Sequence, residues 1–257
     1  EGEEGEAIAS PSAGDRDYIN LPPSQIEFLK LIRSKAKKLI VVMTGGSAIS
    51  SPEVHEMADA ILYAWYPGEK GGQAIGDIIF GKVSPSGKLP VSFVKTMDDL
   101  PPYEDYDMTN RTYRYMQKEY LYPFGFGLSY ADLTLSDLDM SSSEIAAGQE
   151  TTLSLMIDNA SLMDVEEVIQ VYVKRPGGKA QGENFVLRKF HRVDAAANGT
   201  TKVNISLKAS DFAEMSEEGD MLLPKGEYEI MVGTTSPFQR SLDLGAPQWL
   251  NGEITIK

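Results

Sequence analysis

Apolar residues in this chain follow one rule up to about residue 94 and another from residue 130. In "LPPSQIEFLKLIRSKAKK", Ile26, Leu29 and Ile32 recur at helical spacing and predict a helix. Ser24 is its expected cap, with Glu27 as capping-box partner and Pro22–Pro23 blocking extension upstream. Lys35, Lys37 and Lys38 suit the negative end of its dipole. "LIVVM" at 39–43 is an unbroken apolar run, expected of a strand covered on both faces. "TGGSAIS" reads as a loop, and "SPEVHEMA" as a helix with Ser51 as cap and Pro52 in the first turn. "AILYAW" is the next strand. "PGEKGGQAIGDIIFG" is the next helix, pairing Ala74 with Ile78 and Ile75 with Ile79. This βαβ rhythm implies a parallel sheet. It supplies only two or three strands, so the rest of such a domain is expected upstream of Glu1.

From Tyr130 the period drops to two. "TLSLMI", "VIQVYV", "KVNISL" and "YEIMV" are strand patterns, separated by the turn signals "AAGQE", "RPGG", "AANGT" and "LPKGE". That spacing indicates an antiparallel sandwich of about 100 residues. The fold class read from the pattern is thus α/β plus all-β. Residues 95–129 carry too many aromatics, in "RTYRYM" and "YLYPFGFGLSY", for a free linker, and are expected to be an ordered connection. "PQWLNGEITIK" reads as one more strand or an edge addition.

Charge and cysteine content narrow the chemistry. The formal net charge is −14, which argues against nucleic acid, a partner that demands a basic face. A neutral ligand such as a sugar fits. No apolar run reaches the roughly 18 residues of a membrane helix. The chain has no cysteine, which removes disulfides, thiolate zinc and thiol catalysis. His55 and His191 lie far apart, with no partner at metal-ligand spacing, so no metal or cofactor is expected. "TGGS" at 44–47 lacks the full phosphate-loop pattern and reads first as a tight turn. "PGEKGG" at 67–72 reads as a turn leading into a helix, although its glycines would also let a backbone approach something closely. Asn-x-Ser/Thr matches at Asn110, Asn159, Asn198 and Asn204 leave glycosylation open.

The first six residues, "EGEEGE", hold four glutamates. Taken alone, the run is a solvated acidic tail. Crowded carboxylates also raise one another's pKa, which is what a general acid needs at neutral pH.

Longer motifs carry a resemblance. "AWYPGEKGGQAIGDIIFGKVSPSGKLPVSF" is similar to the signature of the C-terminal α/β domain of family 3 glycoside hydrolases, the β-glucosidases and β-xylosidases. "YLYPFGFGLSY" resembles the hinge before that family's fibronectin-III-like domain. "VIQVYVKRP", "VLRKFHRV" and "LPKGEYEIMVGTTS" resemble the strands of that domain.

The resemblance implies 1–94 as the C-terminal portion of a parallel-sheet α/β sandwich carrying the acid/base loop. It implies 95–129 as the connecting segment, 130–245 as an immunoglobulin/fibronectin-III-like antiparallel β-sandwich, and 246–257 as an extension. In that family the acid/base Glu precedes a Gly-Asp-Arg turn and a Leu-Pro pair. Here Gly14, Asp15 and Arg16, then Leu21 and Pro22, follow the glutamates, so Glu4 matches best and Glu3 is the alternative. Asp15 and Arg16 would hold the shape of the loop.

The nucleophilic Asp of the family sits on an N-terminal barrel, which this chain lacks. The implied activity is that of a retaining exo-acting β-glycosidase on terminal β-linked glucose or xylose, and this chain alone is expected to be inactive. Expected partners are an oligosaccharide or aryl-glycoside substrate and the barrel, with a homodimer allowed. The parent protein is expected to be secreted or periplasmic. A non-catalytic carbohydrate-binding or adhesion module is the alternative, and a nucleotide-binding α/β domain a further one.

Overall fold

The first parallel pair fixes the frame of the α/β part. In the computed structural model, which describes residues 18–175, 183–216 and 218–257, strand β1 (Ile40–Thr44) lies parallel to β2 (Ala60–Trp65). Ile40 pairs with Ala60 and Met43 with Tyr63, and the register slips at Thr44. Helix α1 (Pro23–Arg33) precedes β1, and α2 (Pro52–Met57) makes the crossover between the strands. Ile26 of α1 and Val54 of α2 bury against Leu39, Val41 and Met43, with Leu29, Ile32 and Ile61 packed around them.

Two local expectations fail here. Ser24 is not the cap of α1: Pro22 holds that position and Pro23 opens the helix, because its fixed φ suits the first turn and no N–H is missed there. Glu27 accordingly bonds forward to Lys30 at 2.8 Å. Among the described residues, β1 is covered on one face only. Its burial alternates, and Ile40 and Val42 are 48% and 37% exposed. Ser51 does stand at the cap of α2, with Pro52 following, but its hydroxyl bonds Glu53 at 3.2 Å.

Helix α3 (Gly71–Ile79) follows β2. Gly81, at φ +70°, ends it, donating its N–H to the Ile78 carbonyl at 2.9 Å. The chain divides into two compact units. One comprises residues up to Gly76 with Phe93–Asp105 and Glu119–Leu121. The other comprises Asp77–Ser92, Tyr106–Lys118 and Tyr122–Lys257.

The second unit is a sandwich of two sheets. β3 (Leu133–Met140), β5 (Glu150–Asn159) and β8 (Gly199–Lys208) form one, in the order β3-β5-β8. The other is formed by β4 (Glu144–Ile145), β6 (Val165–Lys174), β7 (Val186–Ala195), β11 (Gly226–Gly233) and β12 (Leu250–Ile256), in the order β4-β12-β11-β6-β7. A small hairpin, β9 (Glu214–Met215) with β10 (Met221–Leu222), and the short helices α4 (Thr112–Tyr115) and α5 (Gln239–Asp243) complete it. All pairings in the large sheets are antiparallel except β12 with β4.

Alternate residues fill the space between the sheets: Leu153, Leu155 and Ile157 from β5, Ile169, Val171 and Val173 from β6, Ile230 and Val232 from β11. Tyr228, buried at the start of β11, donates its hydroxyl to the Pro224 carbonyl four residues upstream at 2.8 Å, the tyrosine corner of such sandwiches. Asn159 closes the end of β5. Its amide donates to the Met163 and Ala195 carbonyls, and its oxygen accepts from the Ser161 N–H and hydroxyl.

Two connecting stretches are fixed on β6 by buried polar groups. The Leu89 N–H donates to the Phe126 carbonyl, and the Leu89 carbonyl accepts the Gly125 N–H. Lys88, 10% exposed, reaches Glu167, 3% exposed, at 2.7 Å, and also donates to the Gly127 carbonyl at 2.6 Å. Burial pushes the Lys88 ammonium pKa down, against the pull of the Glu167 carboxylate. Gln170 donates to the Gly125 and Thr234 carbonyls and accepts from the Tyr172 hydroxyl at 2.6 Å. Gly125 sits at φ +73°, and a Cβ there would overlap Gln170 Oε1. Tyr113 of α4 stacks on Phe124, centroids 4.1 Å apart.

Candidate active site

In an open parallel sheet, ligands approach the carboxyl ends of the strands. Here those ends carry the two glycine-rich turns. The turn after β1 is tight. Gly45 donates to the Trp65 carbonyl at 3.3 Å, and a Cβ on Gly45 would lie 2.8 Å from Ile49 Cδ1. A Cβ on Gly46 would lie 2.7 Å from the Tyr66 ring. The glycines therefore serve close packing of Ile49 and Tyr66, which is the turn reading of "TGGS". The helix that follows, α2, has six residues.

Tyr63 holds this turn from below. Its hydroxyl donates to the Ser47 carbonyl and accepts the Ile49 N–H at 3.2 Å. Its ring packs edge-on against Trp65 and Phe93, centroids 4.6 and 5.2 Å away. The held turn ends in Ser50, 1% exposed, whose N–H donates to the Ile19 carbonyl at 2.8 Å. The Ser50 hydroxyl is buried with no hydrogen-bond partner among the described residues. In sequence, Ile19 follows Glu3, Glu4, Gly14, Asp15 and Arg16. Those five residues fall outside the described residues.

The turn after β2 starts at Trp65, φ +50°, and passes Tyr66, which is 74% exposed, to Gly68 at φ +70°. Gly71 donates to the Gly68 carbonyl at 3.1 Å and starts α3, and a Cβ on it would lie 2.5 Å from Pro67. "PGEKGG" is thus a turn leading into a helix, with Glu69 and Lys70 exposed. The opposite, amino ends of the strands are held by Asp59. It accepts the Leu39 N–H at 2.8 Å and pairs with Arg33 and Lys38 at 2.7 and 3.2 Å. The Leu39 N–H, with Lys38 and Arg33, holds its pKa at about 2.

His55 is half-buried on α2, and His191 is exposed on β7 opposite Ile169. Among the described residues, no three or more His, Asp or Glu side chains are grouped to hold a metal. No helix among them is long and apolar enough to cross a membrane. Sequence reading missed Tyr63 and Ser50, since "ILYAW" and "GSAIS" carry no signal beyond strand and loop.

Comparison with known proteins gives this arrangement a family. The Glycosyl hydrolase family 3 C-terminal domain matches residues 1–130, and the Fibronectin type III-like domain matches residues 167–236. A xylan 1,4-beta-xylosidase of Xylanibacter ruminicola is 38% identical over 227 residues, covering 87% of this chain and 26% of that protein. A periplasmic beta-glucosidase of Salmonella typhimurium is 29% identical over 238 residues, covering 87% of this chain and 31% of that protein. The structure of a β-glucosidase from Erythrobacter marinus superposes with a TM-score of 0.80 at 30% identity, over 97% of this chain and 32% of that one. The chain thus spans about a quarter to a third of the length of these relatives. It belongs to glycosyl hydrolase family 3, of which it carries the C-terminal domain together with a fibronectin type III-like domain.

Proposed function

We propose that this chain is the acid/base-bearing part of a retaining exo-acting β-glycosidase that releases terminal β-linked glucose or xylose. The observation that carries the reading is the family match over residues 1–130, a stretch that includes Glu3 and Glu4. The first step is attack by an Asp carboxylate on the anomeric carbon. That Asp lies on a barrel outside this chain, in keeping with relatives about three times as long. The glycosidic C–O bond breaks as Glu4 gives its proton to the departing oxygen. In the second step the Glu4 carboxylate takes a proton from water, which displaces the Asp and frees the sugar. Crowded carboxylates such as those of "EGEEGE" raise one another's pKa, the direction a general acid needs. Glu3 is the alternative proton donor. Secretion or a periplasmic location fits a relative named as periplasmic.

The test is Glu4→Gln in the full-length polypeptide that contains this chain. Its kcat on an alkyl β-glucoside or β-xyloside should fall about a hundredfold or more. Azide should restore turnover of activated aryl glycosides by replacing the water that needs a base. Glu3→Gln is the parallel variant, and a loss there instead would move the role to Glu3. Normal rates with both glutamates neutralised would end the proposal.

A further inference from the structure

We infer that the lateral edge of the sandwich, between β3 and β12, carries a binding cleft for a short neutral oligosaccharide. The cleft has a volume of about 580 Å³, within the range of small-ligand sites. Its lining runs from Leu138 to Glu144 and returns through Asn251 and Gly252, all within the second unit.

An irregular strand opens it. The register of β3 on β5 slips between Ser136 and Asp139, and Asp137 sits at φ +54°, a conformation uncommon for a residue other than glycine. The bulge reverses which side chains face inward. Leu133 and Leu135 meet the core before it, Leu138 and Met140 after it, and Asp139 is left outside. Across the gap, Gly252 stands at an inward position of β12, between Leu250 and Ile254, with no side chain to fill it. A Cβ there would lie 3.4 Å from Leu138 Cδ2 and 3.5 Å from Met140 Cε. The result is an apolar floor.

The wall above that floor is polar and rigid. Thr151, 1% exposed, donates its hydroxyl to the Ser142 carbonyl at 2.9 Å and accepts the Ser142 N–H at 3.0 Å. The Ser142 hydroxyl donates to the Glu144 carbonyl at 2.6 Å, and the Glu144 carboxylate pairs with Lys257. Three groups remain unspent. The Asp139 carboxylate, the Ser143 hydroxyl and the Asn251 amide make no side-chain hydrogen bond to other described residues. The main chain of Asn251 is open as well. β4 pairs only with Thr255 and Ile256, and the Thr255 N–H donates to the Ser143 carbonyl at 2.8 Å. Asn251, an even number of residues earlier, turns its N–H to that same side, beyond the end of β4.

This set of groups selects the ligand. A carboxylate accepts from two hydroxyls, an amide donates and accepts, and a serine hydroxyl does either. Adjacent hydroxyls of a sugar need that mixture, and the Leu138–Met140 floor suits the C–H face of its ring. Asp139 and Glu144 disfavour an anion, and among the described residues no three carboxylates gather as a hard cation requires.

The test is titration of the isotope-labelled chain with cellotriose and with xylotriose, followed through its amide NMR signals. The amides of Ser142, Ser143, Asn251 and Gly252 should move saturably with a dissociation constant of roughly 1–10 mM, while those of Val41 and Met43 stay in place. Asp139→Ala and Asn251→Ala, both at exposed positions, should each weaken binding about tenfold and leave distant signals unchanged. Gly252→Ala keeps every polar group, adds one methyl to the floor, and should weaken binding as well. Failure of the cleft amides to respond to either sugar up to about 50 mM would overturn the inference, as would shifts confined to other residues. Full affinity in both Asp139→Ala and Asn251→Ala would do the same. Calcium chloride and a dilution series of the chain alone are run in parallel. A cleft response to calcium in place of sugar would make this a cation site, and one that follows chain concentration would make it a contact between copies; either result overturns the saccharide assignment.

Discussion

Asp59 shows how much of a fold can hang on one side chain. A single carboxylate accepts the Leu39 N–H and pairs with Arg33 and Lys38, tying helix α1 and the start of β1 to the start of β2. Its pKa is held at about 2 against an ordinary 3.8. The unfolded chain therefore takes up this proton first on acidification. The stabilisation is complete above about pH 4 and is lost as pH falls towards about 2. Asp59→Asn should lower the urea midpoint of the α/β unit near neutral pH and flatten its slope between about pH 4 and 2. An Asn variant with the wild-type acid slope would place that titration on another group. None of this was visible in the local pattern "MADAIL" alone, because Arg33 and Leu39 are brought to Asp59 by the packing of α1 on the strands.

At the scale of elements, period and punctuation carried the reading. Ile26, buried, and Leu29 and Ile32, partly buried, form the packed stripe of α1 as their spacing implies, and the four period-two runs are β5, β6, β8 and β11. What failed was detail set by competition. Proline displaced serine at the start of α1 because it fits the first helical turn at no hydrogen-bond cost. The run at 39–43 is apolar throughout, yet one face stays open among the described residues, since composition alone does not say what packs on each side.

The buried Lys88–Glu167 pair was illegible for a different reason: its members are far apart in sequence, Lys88 in "SGKLPVSF" and Glu167 just before the strand run "VIQVYV". Lys88→Met should cost about 3–5 kcal/mol, because Glu167 would be left charged and unpaired. Exchange rates of β6 amides check this. Lys88→Met combined with Glu167→Gln should recover much of the loss. A single variant as stable as wild type would mean that the pair is dispensable.

At the scale of the molecule, the family was legible from long motifs, and its match covers both units of the chain. The candidate site was legible only by that resemblance: Glu3 and Glu4 have no local feature beyond their charge, and Tyr63 emerged only from the folded turn. If the nucleophile lies on a separate barrel, the purified chain should give no turnover of nitrophenyl β-glucoside or β-xyloside. Substantial turnover would place the nucleophile within these 257 residues and require a different active site.

The closure at Asn159 has a consequence for how such a protein is produced. All four of its hydrogen-bonding capacities are consumed inside the folded sandwich. In a eukaryotic secretory host, a transferase working on the emerging chain meets this asparagine before β5 has closed. Sugar attachment and native closure then compete in time for the same nitrogen, and any molecule modified first is barred from the native state.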